Sequence, residues 1–322
     1  MNFGIIGLGN IANKFAKTLN EMNECLYAVA SRDIAKAKEF SEKYNSVKYY
    51  GSYDELYNDP NIDIIYIATP NNYHFINSLD SLKHNKHVIC EKPFTTNPNE
   101  AKELYDLAKE KNLFIMEALW IEFLPSYRKI KEIIKDGIIG EIKDISVSYG
   151  FDTNPDRKKR KFDSNLAGGA LLDIGIYNLG FIDMIVNDEV ESFDSSYHLN
   201  EYNTDDYSEI NLIYKNNIKA KCVTAIGKEI KREAYINGTK GMIYIPDFQQ
   251  NQGFKLIIDN EEKEYSYPFE INGFEYQIKE AIDSIKNNKN ESNIYPSFKS
   301  IRLMKLLYDI RMSWNMKFSF EK

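Results

Sequence analysis

The chain has 322 residues, 43% of them hydrophobic and 28% charged, with a formal net charge of −7. That length is more than one small core organises and suits two domains; the acidic balance gives no field to attract nucleic acid or an anionic membrane. Three cysteines, Cys25, Cys90 and Cys222, are odd in number and widely spaced, so they read as buried thiols in a reducing compartment, with neither a disulfide framework nor a metal site expected.

An apolar run from Asn2 to Ile6 stops at Gly7-Leu8-Gly9-Asn10-Ile11-Ala12, and a helical pattern follows at once. Strand, glycine turn and helix in that order form a nucleotide cradle. Gly7 permits the tight turn, Gly9 removes a side chain where a pyrophosphate approaches the backbone, and Ala12 lets helix and strand pack closely. The phosphates then face the unpaired N–H groups of Asn10, Ile11 and Ala12 at the helix start. A strand starting at residue 2 leaves no room for a signal peptide, and no stretch reads as a membrane span, so a cytoplasmic protein is expected.

Strands are predicted at 2–6, 25–30, 47–50, 62–69, 87–91 and 113–118, with helices at 11–21, 33–44, 52–58, 72–85 and 97–111. Such alternation makes a parallel, doubly wound sheet, and residues 1–118 are expected to form a dinucleotide-binding Rossmann domain. At the end of its second strand stands Ala30-Ser31-Arg32-Asp33. Ser31 and Arg32 suit the extra phosphate of NADP, while Asp33 falls late enough to serve the next helix. NADP is therefore expected over NAD. The competing reading leaves Arg32 solvated and bends Asp33 back to the ribose.

After the fourth strand, Thr69-Pro70-Asn71-Asn72-Tyr73-His74 turns outward at the carboxyl edge of the sheet, where ligands of such folds bind. Thr69, Pro70, Asn71 and His74 are candidate cofactor contacts, although a lone histidine is more often a structural hydrogen-bonding residue. The fifth strand ends at Glu91-Lys92-Pro93, an ionisable pair at the same edge that also reads as a salt-bridged strand end. Lys92 is expected to point toward the nicotinamide.

Past residue 118 the pattern changes. A helix is predicted from Trp120 to Lys135 with a kink at Pro125, followed by alternating strands at 142–149, 207–214, 218–225, 232–236, 242–245 and 254–258, then helices at about 273–288 and 297–314. Residues 119–322 thus form an α+β domain on an open, largely antiparallel sheet, whose broad face suggests a homodimer. Between its elements lie a basic run, Asp156-Arg157-Lys158-Lys159-Arg160-Lys161, and then Gly168-Gly169-Ala170 leading into the helical Leu171-Leu172-Asp173-Ile174-Gly175-Ile176-Tyr177-Asn178-Leu179. Asp173 and Tyr177 are four apart and share a helix face.

Taken together, the glycine turn, Ala68-Thr69-Pro70-Asn71, Glu91-Lys92-Pro93 and the stretch ending at Tyr177 resemble the Gfo/Idh/MocA family of NAD(P)-dependent oxidoreductases. In most of that family the last motif ends in histidine. Tyrosine there, with Glu117-Ala118-Leu119-Trp120 and Phe123-Leu124-Pro125, looks more like the dimeric dihydrodiol dehydrogenase branch, which also carries an NADP-dependent D-xylose dehydrogenase activity. The resemblance implies catalytic roles for Lys92 and Tyr177, with Asp173 as the acid of the same helix. It also implies a place for Trp120 beside substrate and nicotinamide, and for Ser31 and Arg32 at the adenosine phosphate. Ala167 stands where the branch often has glycine.

The expected function is hydride transfer between nicotinamide and a carbinol or carbonyl carbon of a sugar, cyclic diol or related small polyol. Tyr177 is the candidate acid/base, and Lys92 the charge that favours its phenolate and steadies the substrate oxygen. Asp173 orients Lys92 or holds a substrate hydroxyl. Phe123 and Phe162 offer further flat faces and Asn165 a polar contact. Two alternatives are a non-catalytic dinucleotide-sensing regulator of the same fold and an enzyme that retains its NAD while interconverting two sugars.

Overall fold

The expected alternation is realised in β1 (Asn2–Ile6), α1 (Asn10–Glu21), β2 (Cys25–Ala30), α2 (Ile34–Tyr44), β3 (Lys48–Tyr50), α3 (Tyr53–Tyr57), β4 (Ile64–Ile67), α4 (His74–Lys83), β5 (His87–Glu91), α5 (Pro98–Glu110) and β6 (Ile115–Ala118). The computed structural model describes residues 1–154 and 160–321; positions 156–159 of the basic run lie outside the described residues. The six strands are parallel in the order β3-β2-β1-β4-β5-β6. The chain leaves β1 toward β2 but leaves β4 toward β5, so the strand order reverses between them, which in open α/β sheets is where a ligand crevice opens. Ile6, Ala28, Ile65, Ile67, Val88, Cys90 and Ile115 form the core with Leu56, Leu82 and Leu104 of the helices. Contrary to expectation Cys25 is exposed, because it opens β2 at the sheet's rim; Cys90 and Cys222 are buried.

The second half begins with α6 (Pro125–Lys135). Pro125 does not kink this helix but starts it, at a position where the missing N–H would have had no partner. There follow β7 (Ile142–Phe151), a π-turn (Leu171–Gly175) leading into α7 (Ile176–Val186), and β8 (Val190–Leu199), β9 (Asp205–Tyr214), β10 (Lys219–Ile226), β11 (Ala234–Gly238), β12 (Met242–Ile245), β13 (Gly253–Ile258) and β14 (Glu261–Ser266). These make an eight-stranded sheet in the order β14-β13-β12-β11-β7-β10-β9-β8. Only β7 and β10 pair in parallel, so the open sheet is largely antiparallel. Every residue of α7 is buried. The stretch Ser164–Val186 is, against expectation, long and apolar enough to cross a bilayer, yet 94% of its apolar 18-residue window is buried within the protein. A helix apolar on all sides belongs in a core.

The final helices are α8 (Phe274–Lys286) and α9 (Ser297–Ser313). Packing divides the chain into two compact units: Met1–Trp120 with Glu270–Lys305, and Ile121–Phe269 with Leu306–Lys322. The expected boundary after residue 118 is therefore displaced by two residues, and the expected assignment of residues 270–305 is corrected. That segment is bonded into the first unit. The Asn290 carbonyl accepts the Ile115 N–H at 3.0 Å, Asn272 donates to the Thr18 hydroxyl at 2.8 Å, and the Ser300 hydroxyl donates to Glu117.

Candidate active site

In the first unit the glycine turn does what its sequence predicts. Gly7 has φ +82°, and a Cβ there would lie 2.4 Å from the Ala68 carbonyl carbon, so the ends of β1 and β4 approach as only glycine allows. A Cβ on Gly9 would meet nothing within 4 Å. Gly9 is the N-cap of α1 and offers no side chain to its first N–H groups. Asn10, Ile11 and Ala12 therefore present backbone donors, with the helix dipole behind them, beside open space at the glycine. This arrangement fits a dinucleotide pyrophosphate.

At the end of β2, the Asp33 carboxylate accepts the N–H groups of Ala35 at 3.0 Å and Lys36 at 3.3 Å, capping α2. The Ser31 hydroxyl accepts the Asp33 N–H at 3.2 Å, and Arg32 is exposed.

At the next strand ends, His74 is a brace. Its ring is buried, with Nδ1 2.7 Å from the Pro93 carbonyl oxygen and Nε2 2.8 Å from that of Thr69. Burial holds its pKa below the usual value against the pull of these two carbonyls. Both ring nitrogens are engaged within the fold. His74, expected among the cofactor contacts, thus ties the Thr69-Pro70-Asn71 loop to the turn that carries Lys92. The Thr69 hydroxyl accepts from the Asn77 amide at 3.0 Å, which fixes the loop from beneath. Lys92 is half-buried and is followed by a cis peptide bond to Pro93. Its neighbour Glu91 is buried, accepts the Tyr66 hydroxyl, and is raised in pKa by that burial.

Two residues to which sequence reasoning gave no role belong to this half. Glu117 is buried; it accepts the Phe94 N–H at 3.0 Å and the Tyr295 hydroxyl at 3.3 Å, anchoring the chain two residues beyond Lys92. Lys14 of α1 places its ammonium 4.4 Å from the ring centroid of Trp120. Neither could be read from local pattern, since a lysine in an amphipathic helix and an acid inside an apolar strand show no partner in sequence.

The second unit holds the remaining candidates. Tyr177 is buried at 8% exposure in the first turn of α7, and Asp173 lies in the preceding π-turn. Such turns are rare and concentrate at functional sites. Asp173 forms an ion pair with Lys161, whose ammonium also stands 4.9 Å from the Phe151 ring centroid. Lys161, the last residue of the basic run, is thereby brought to a site residue.

The paired glycines serve this local packing. A Cβ on Gly168 would lie 2.4 Å from the Lys161 carbonyl oxygen, and one on Gly169, where φ is +125°, 2.4 Å from Asp205 Oδ1. Asp205 in turn accepts the Leu171 N–H at 2.7 Å. Ala167 adopts φ +54°, the left-handed region that glycine takes without strain. Phe162 packs with Ala170, Ile174 and Ile226, and Asn165 accepts from the Ser319 hydroxyl at 2.7 Å while donating to Asp163 at 3.0 Å.

Residues 1–119 match the model of the Gfo/Idh/MocA oxidoreductase family with its NAD-binding Rossmann fold, and residues 127–244 match the Gfo/Idh/MocA C-terminal domain. The chain belongs to this family. A trans-1,2-dihydrobenzene-1,2-diol dehydrogenase of Mus musculus is 32% identical, covering 100% of this chain and 99% of its own. That of Xenopus laevis is 36% identical over 83% of this chain and 81% of its own.

Among solved structures, a 3-ketoreductase from Actinomadura kijaniata in complex with NADP and TDP-benzene superposes with a TM-score of 0.89 at 22% identity, covering 97% of each chain. An aldose-aldose oxidoreductase from Caulobacter crescentus gives 0.87 at 22% identity, covering 98% of this chain and 97% of its own. At that identity the structures speak for the shared fold. The Gfo/Idh/MocA chain described here is accordingly a NAD(P)-binding oxidoreductase acting on a small molecule.

Proposed function

We propose that the protein is an NADP-dependent dehydrogenase or reductase acting at a CH–OH carbon of a sugar, a cyclic diol or a related small polyol. The observation that carries the cofactor preference is the cap of α2. Asp33, the acid that an NAD site would aim at the ribose, receives two N–H groups of its own helix, which leaves Ser31 and the exposed Arg32 to meet the extra phosphate. The names of the relatives, diol dehydrogenases and an oxidoreductase of aldoses, support the substrate class.

When bound, the nicotinamide takes or gives the hydride. The protein handles the proton and the charge. Tyr177 exchanges a proton with the substrate oxygen. Lys92 supplies an ammonium that stabilises negative charge as it develops on a reacting oxygen. Asp173, held by Lys161, receives a substrate hydroxyl, and Trp120 offers a flat apolar face to ring and substrate. A cytoplasmic homodimer formed through the open sheet of the second unit is part of the same reading.

The test is a titration of tryptophan emission with NADPH and NADH, followed by reduced-nicotinamide absorbance against a panel of aldoses, ketoses and cyclic trans-diols. Turnover of one panel member with NADP, and a weaker response to NAD, supports the reading. Binding without turnover on any member removes the substrate class; a preference for NAD removes the role given to Arg32.

A further inference from the structure

The first unit contains a cation that the proposed chemistry does not use. Lys14 lies in the second turn of α1, directly after the glycine cradle, and its ammonium is wedged between two aromatic rings. It stands 4.4 Å from the centroid of Trp120 and 4.3 Å from that of Phe274 on α8. The two rings are themselves 5.4 Å apart and inclined at 44°, so the charged group touches both faces of a tilted pair.

The carboxylates facing Lys14 come from two elements, Glu91 at the end of β5 and Glu275 on α8. Glu275 is occupied in capping its own helix, where it accepts the Ile271, Asn272 and Gly273 N–H groups. Glu91 is shared with the Tyr66 hydroxyl and lies beside Lys92. Burial lowers the Lys14 pKa to about 8, with both carboxylates pulling it upward.

We propose that Lys14 is a positioning residue for Trp120: its ammonium fixes the indole against Phe274, and loss of the charge releases the ring. The attraction is that of a cation for the negative face of an aromatic quadrupole, strongest for indole and strengthened where water is displaced. A neutral amine lacks it. The consequence for turnover rests on the proposed function, in which Trp120 flanks substrate and nicotinamide; the consequence for the indole does not.

Tryptophan emission of the full-length protein, followed from about pH 6 to about pH 10, tests the proposal. The wild type should show a transition centred near pH 8 that vanishes in Trp120→Phe and in Lys14→Met. Lys14→Arg, whose guanidinium stays charged throughout, should hold the low-pH emission across the range. In steady-state kinetics Lys14→Met should raise the substrate KM by about tenfold with kcat within about twofold, and Lys14→Arg should restore it.

A transition that survives in Lys14→Met overturns the proposal; a wild-type KM in Lys14→Met with the transition lost overturns instead the place given to Trp120 beside the substrate. Failure of the redox assignment registers separately, as full turnover in Lys92 or Tyr177 variants with the emission transition intact.

Discussion

Replacing each of the two cradle glycines by alanine should give opposite outcomes, because their surroundings differ. At Gly7 an added Cβ meets backbone at 2.4 to 2.5 Å, namely the Ala68 carbonyl and the Thr69 nitrogen, and the residue sits at φ +82°. The left-handed conformation costs alanine ~1–2 kcal/mol. Forcing a methyl group into packed backbone adds ~1–3 kcal/mol. Gly7→Ala should therefore lose about 2–5 kcal/mol, a large share of a typical domain stability of ~5–15 kcal/mol.

At Gly9 the backbone is extended, with φ −97°, and the added Cβ meets nothing within 4 Å. Gly9→Ala should leave stability within about 0.5 kcal/mol of the wild type. Its methyl group instead occupies the approach to the α1 N–H groups, so the Kd for NADPH should rise about tenfold or more, a loss of ~1.4 kcal/mol per factor of ten. Urea unfolding monitored by circular dichroism gives the first quantity, and fluorescence titration of the folded protein without urea gives the second. Wild-type NADPH affinity in Gly9→Ala would refute the cradle; wild-type stability in Gly7→Ala would refute the argument from the turn.

Lys92→Met and Tyr177→Phe should each lower kcat by about a hundredfold or more with NADPH binding preserved, as stopped-flow hydride transfer and equilibrium titration will report. Arg32→Ala should weaken NADPH by about tenfold or more while leaving NADH nearly unchanged, since a charge-assisted bond to phosphate contributes ~1.5–3 kcal/mol; equal losses for both cofactors would count against the assignment. Burial pushes the Glu117 carboxyl up to about 7 from an ordinary 4.5. A carboxyl raised on folding contributes stability that is fully present below its unfolded value and is lost as pH rises through its folded value, so the wild type should soften between about pH 4.5 and about pH 7. Glu117→Gln cannot ionise, and its plot of Tm against pH should lose that component; an unchanged slope would contradict the stated origin of the shift.

Much of the first unit is legible because its strands are buried on both faces and read as unbroken apolar runs, as in Ile64–Ile67, where all four residues are buried. The two strands that sequence reading missed are β8 and β14, the edges of the second sheet. An edge strand buries little, and β14 reads Glu-Glu-Lys-Glu-Tyr-Ser with five of its six residues exposed, a charged pattern that guards an edge from pairing but hides its periodicity. The site shows the same division. The glycines, Lys92 and Tyr177 belong to local motifs that advertise themselves. The Lys161 ion pair and the ring contacts of Lys14 join residues through folding alone; Lys14 and Phe274 are 260 positions apart.

The late return of residues 270–305 to the first unit bears on how the protein is made. A ribosome that has released the first 120 residues has delivered every strand of the nucleotide-binding sheet, yet β6 still lacks Asn290, and Glu117 still lacks Ser300 and Tyr295. Those partners emerge only after the whole eight-stranded sheet has been synthesised. Cofactor affinity in nascent or truncated chains should accordingly rise in one late step as the segment up to residue 305 becomes available, and a fragment cut at residue 120 should need the 270–305 peptide supplied in trans to hold its fold.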